Sequence, residues 1–89
     1  MSDRFQQNAA VEAVSLEDEA ILFHPDLNQF CILNRTASVI WSRIAEPATS
    51  AEIAAEVSAR FAAVTEADAQ PDVEDTLRQM ADLQLISRV

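Results

Sequence analysis

The apolar positions of the chain change period near residue 34: short strand-like runs come before it, and apolar residues at helical spacing follow. Residues 10–16 alternate loosely, with Ala10, Glu12, Val14 and Leu16 on one face and Val11, Ala13 and Ser15 on the other, which predicts a first strand. Glu17-Asp18-Glu19 reads as an acidic turn. Residues 20–23 (AILF) are continuously apolar and rich in strand formers, which predicts a second strand. Residues 24–28 (HPDLN) form the next turn. Pro25 presets φ there, and Asn28 is placed to take the left-handed position before the chain returns. Gln29–Leu33 (QFCIL) predicts a third strand, with Phe30 and Ile32 on one face and Cys31 and Leu33 on the other. Both faces are apolar, so each needs cover from core or from a partner.

Asn34 is a cap for the first helix, whose apolar stripe is Ala37, Ile40, Trp41 and Ile44. Glu46-Pro47 ends it. Thr49-Ser50-Ala51-Glu52 has the form of a capping box, in which Thr49 reaches forward and Glu52 reaches back. The second helix follows, with Ile53, Ala54, Val57 and Phe61 as its buried stripe. Residues 62–70 read as a loop with a short turn at 66–69, and Pro71 suits the first turn of a third helix. Asp72, Glu74 and Asp75 favour the positive end of that helix's dipole. Its stripe is Val73, Leu77, Met80 and Ala81, with Leu83 nearby. Gln84 stands where a helix would hand over to glycine, and Leu85-Ile86 dock the chain end on the core. Residues 1–9 are polar and predict a flexible arm, which leaves residues 10–89 as one domain. Three strands followed by three helices make an α+β fold, and the last two helices have the lengths of a winged helix-turn-helix.

The net charge of −9 narrows the function. All six positive residues are arginines, scattered at Arg4, Arg35, Arg43, Arg60, Arg78 and Arg88. Nucleic-acid binding needs a basic face to neutralise phosphates, and anionic membranes repel this chain for the same reason. No apolar run is long enough to span a bilayer, and the first residues contain no apolar signal core, so a cytoplasmic protein is expected. One cysteine, Cys31, gives no internal disulfide and no metal pair. Glycine is absent, so any turn that needs positive φ must use Asn, Asp or Gln.

Catalytic and metal chemistry find little support. Cys31 and His24 could pair as nucleophile and base, but Cys31 lies in an apolar strand and His24 sits at a turn, a usual surface position. Asp72, Glu74, Asp75 and Asp82 have neither His nor Cys beside them for a metal, and a solvated helix face accounts for them. Flanking a groove, they would favour a partner carrying Arg or Lys. Trp41 belongs to the core stripe rather than to a ligand platform. The strand Gln29–Leu33 either is covered by a helix or is an edge. As an edge it would be unusual, because 30–33 (FCIL) carries no charge, proline or other protection. An open apolar edge invites a strand from another chain.

The run LFHPDLNQFCILNRTASVIW, followed by TSAEIAAEVSARF and an acidic helix ending in L-x-L-I, resembles the PqqD-like family of precursor-peptide recognition elements. The likeness covers residues 12–86. Its most specific parts are the Leu33-Asn34 junction, the Ile40-Trp41 pair and the Thr-x-x-Glu-Ile opening of the second helix. The chain departs from the family at Asn28 and Gln84, where members commonly have glycine. The resemblance implies a winged helix-turn-helix fold with a three-stranded antiparallel N-terminal sheet. It implies a non-catalytic peptide chaperone with no cofactor, which binds the leader segment of a ribosomally made precursor by strand addition. The partner would be a separate maturation enzyme, a radical-SAM enzyme or a leader peptidase, and the chain itself a monomer. Carried onto this sequence, the leader would pair with Gln29, Phe30, Cys31, Ile32 and Leu33 and touch Val73, Thr76, Leu77 and Met80. The rival readings are an acidic winged-helix protein-interaction module and a transcription regulator.

Overall fold

The computed structural model describes residues 3–61 and 63–89. The order of elements is β1 (Arg4–Gln7), β2 (Glu12–Ser15), β3 (Ala20–His24), β4 (Gln29–Leu33), α1 (Arg35–Arg43), β5 (Ala48–Thr49), α2 (Ser50–Arg60), α3 (Glu66–Asp82) and β6 (Ile86–Arg88). The class is α+β, with an antiparallel sheet β2-β3-β4 ahead of the three helices. The three strands expected from the pattern are β2, β3 and β4.

The sheet turns one face to the helices. On β3, Ala20, Leu22 and His24 are buried while Ile21 and Phe23 face outward, as the period-two geometry of a strand requires. The strand–turn–strand runs in register from Ala20 opposite Leu33 to His24 opposite Gln29. Asn28 takes φ 51° and Gln84 takes φ 58°, the two positive-φ residues among those described. Asparagine tolerates this region better than most residues, which serves a chain without glycine. His24 was expected at the surface, but it is only 3% exposed. It is the third inward position of β3, so the alternation that buries Ala20 and Leu22 buries it too.

The helices start where their caps put them. The Ala37 N–H donates to Asn34 Oδ1 (2.9 Å), and Thr49 and Glu52 close the expected capping box. The core joins Leu22 and Leu33 of the sheet to Ile40, Trp41 and Ile44, to Ile53 and Val57, and to Val73, Leu77 and Met80. Phe61 is half-buried against this cluster, and Leu85 and Ile86 close it at the chain end, as expected.

Two elements differ from expectation. The α3 helix begins at Glu66 rather than near Pro71, because the Thr65 hydroxyl accepts from the Asp68 N–H and caps it. Ala69 is then buried at the head of the stripe, Pro71 lies inside the helix, and Ala81 is exposed. Proline lacks the N–H that would donate back one turn, so the helix forgoes one bond there. Ala62, in the expected loop, lies outside the described residues. The second difference is the flexible arm. Met1 and Ser2 lie outside the described residues, but Arg4–Gln7 is a strand, the centre of a second sheet ordered β5-β1-β6. Phe5 packs against the core, and Gln7 Nε2 donates to the Trp41 carbonyl (2.7 Å). RFQQ has one apolar residue, so periodicity gave no strand signal; main-chain pairing and that amide hold it.

Candidate functional site

Among the described residues the β4 strand pairs with β3 on one side alone, so its other side is an edge. Alternate residues of an edge strand direct N–H and C=O groups away from the sheet, where they are free to accept a further strand. Of the alternatives left open by the sequence, coverage and edge, the structure therefore has the edge. Asn34 fixes its far end: the cap that starts α1 also stops β4 and turns the chain inward. The β2 strand is the sheet's other edge, with all four residues exposed.

A groove of about 380 Å³ lies between the β4 edge and α3. Cys31, Ile32 and Leu33 line it from the strand, Asn34, Thr36 and Ala37 from the start of α1, and Asp72, Asp75, Thr76, Gln79, Met80 and Leu83 from the helix and its end. The rotation of α3 follows from its buried stripe. Ala69, Val73, Leu77 and Met80 point into the core, so the adjoining row 72, 76, 79 and 83 flanks the groove. The lining is mixed, with Ile32, Ala37 and Leu83 beside Thr36, Thr76 and Gln79, and Asp72 and Asp75 make one lip acidic. Asp75 accepts from Gln79 Nε2 (3.1 Å) and lies 3.7 Å from the Arg78 guanidinium. Partial burial pushes the Cys31 thiol above its ordinary value, so it stays protonated at neutral pH.

The residues expected to form the site are not all together. Cys31, Ile32, Leu33, Thr76 and Met80 line the groove. Gln29 and Phe30 lie on the same strand outside the lining, and the Phe30 side chain is on the outward face of the sheet, stacked on Phe23 with ring centroids 4.5 Å apart. Val73 and Leu77 are sealed in the core, where they set the helix's orientation and leave no surface for a ligand. Asp72 and Asp75 were expected as an acidic flank of a groove, and Gln79 and Leu83 were not singled out as contacts. The signal that finds them is their place one position away from the buried stripe. No group of three or more His, Cys, Asp or Glu able to hold a metal occurs among the described residues. Nor is any helix among them long and apolar enough to cross a membrane.

Comparison with known proteins places the chain by family and by fold. No curated protein sequence matches the chain. A solved structure of TbiB1 in complex with the TbiA(beta) leader peptide is similar at TM-score 0.83 and 27% identity, covering 92% of this chain and 94% of that one. The family described as "Coenzyme PQQ synthesis protein D (PqqD)" matches residues 19–86, a span that begins just before β3 and ends at the first residue of β6. The chain belongs to the PqqD family.

Proposed function

We propose that this chain captures the leader segment of a ribosomally made precursor peptide as a strand added to β4, and presents it to a separate maturation enzyme without catalysing a reaction itself. The observation that carries the reading is the unprotected β4 edge beside a groove whose other wall is α3. The PqqD family supports it, as does the similar structure, which holds a leader peptide. An added strand gains a few main-chain hydrogen bonds, each worth about 0.5–1.5 kcal/mol net. Those bonds carry no sequence information, so selectivity comes from leader side chains meeting the groove wall at Thr76, Gln79 and Leu83. The acidic lip at Asp72 and Asp75 favours a leader with Lys or Arg opposite it. The leader loses chain entropy on binding, which holds affinity near the micromolar range, on the order of −8 kcal/mol. Holding substrate near the enzyme raises its effective concentration without new chemistry.

Proline substitution tests the strand pairing directly. Cys31 and Ile32 are neighbours, so one directs its N–H at β3 and the other at the free edge. Cys31→Pro and Ile32→Pro are compared by circular dichroism and by anisotropy of a fluorescent leader. One variant should lose hairpin stability. The other should stay folded and bind the leader about tenfold more weakly, a loss of about 1.4 kcal/mol. Two folded variants with unchanged affinity would rule out strand addition at β4.

A further inference from the structure

The outward face of the β2-β3-β4 sheet is apolar and uncovered. Val14 on β2, Ile21 and Phe23 on β3, and Phe30 and Ile32 on β4 share this face, because Val14 opposes Ile21, Ile21 opposes Ile32 and Phe23 opposes Phe30. Val14 is 59% exposed, Phe30 72% and Ile32 70%. The helices and core pack on the other face, the one that carries Leu22 and Leu33. A contiguous apolar surface over all three strands is a liability in a small protein unless something covers it. The leader described above does not reach most of it, since it lies along the β4 edge against α3, and Val14 is two strands away, about 10 Å.

The charges around the face narrow the occupant. Glu12 stands on the face itself, opposite Phe23. Glu17, Asp18 and Glu19 form the turn at one end of the sheet, and Asp26 lies in the turn at the other. Arg35 pairs with Asp18 at 4.0 Å in solvent and otherwise lies over the Phe61 ring, 5.0 Å from its centroid. A second copy would bring these like charges together, each chain carrying −9. Nucleic acid and anionic lipid are excluded for the same reason. An apolar protein surface rimmed by Lys and Arg matches both the centre and the ends.

We propose that this face docks the maturation enzyme, through an apolar patch with a basic rim on the enzyme, while the leader occupies the groove beside it. The inference rests on the leader-capture reading. The two are continuous because β4 contributes its backbone edge to one and the outward side chains of Phe30 and Ile32 to the other. The arrangement divides the work: the edge takes the substrate and the face takes the catalyst.

The test uses Val14, which is exposed and outside the groove. Val14→Ser and Val14→Arg are prepared with the wild-type chain, and their folding is compared by thermal melts. Each is titrated with a fluorescent cognate leader and, separately, with the purified enzyme that modifies that leader. Expected results are leader affinity within twofold of wild type for both variants, enzyme affinity several-fold weaker for Val14→Ser, and at least tenfold weaker for Val14→Arg. Enzyme binding by wild type should weaken as salt is raised. Equal enzyme affinity for all three chains, or no enzyme binding by wild type, would overturn the inference. So would a dimer by sedimentation that Val14→Arg dissociates, because it gives the face to a second copy. Loss of leader binding by the wild-type chain contradicts the leader-capture reading alone, and the enzyme titration still decides this one.

Discussion

Cys31 reports on the groove at the level of a single atom. Its thiol is held protonated by burial against the edge and the start of α1, and an added strand would bury it further. Reaction with a disulfide reagent at neutral pH should therefore be slower than for an unfolded control, and slower again, by about fivefold or more, when the leader is saturating. An unchanged rate on leader addition would mean that the leader lies elsewhere. Thr76 gives a steric test from the opposite wall. It is half-buried and lines the groove, and Thr76→Arg fills that space from a helix position that tolerates arginine. Leader affinity should fall at least tenfold with the melting temperature little changed. The sequence had named both residues. Its residue-level errors were of one kind, facing. Val73 and Leu77 were candidates because α3's rotation is invisible without the core it packs on, and His24 was expected at the surface because a turn position outweighed its inward place on β3.

Among the elements, the caps were the most legible features and the second sheet the least. Asn34 and Thr49 each carry their own hydrogen bond in a local motif, so spacing alone reveals them. Thr49→Ala should cost about 1 kcal/mol and lower the melting temperature by about 4–8 °C. Glu52 adds a pH dependence. The Thr49 backbone N–H, then its hydroxyl, hold the Glu52 carboxyl below the usual range, with a smaller contribution from Arg43. A depressed carboxyl stabilises the fold fully above its unfolded value, about 4.3, and loses that contribution as pH falls through the lowered folded value. Glu52→Gln should therefore flatten the acid limb of a pH-stability curve, and a curve parallel to wild type would show that the box adds nothing. The second sheet, by contrast, is built from pairings far apart in sequence. Arg4 opposes Thr49 and Gln7 opposes Ile86, and no window along the chain holds both partners. Thr65 capped α3 earlier than Pro71 suggested because a helix tolerates proline inside when packing holds it, and Ala69 and Val73 are buried on either side.

At the scale of the molecule, charge and topology act together. A chain of −9 repels nucleic acid and anionic lipid, and its groove carries an acidic lip at Asp72 and Asp75. A leader variant with an added lysine facing Asp72 or Asp75 should bind several-fold tighter at low salt, and the gain should shrink as ionic strength rises. The PqqD family and the α+β class were legible because they rest on pattern over most of the chain. The most direct test of strand capture is a titration of isotopically labelled protein with its cognate leader, followed by backbone NMR and amide exchange. The account predicts saturable shifts and new amide protection in Gln29–Leu33, with shifts along the row Asp72, Thr76 and Gln79 and little change in β1 and β6. Saturable leader binding with β4 amides unshifted and unprotected would contradict it.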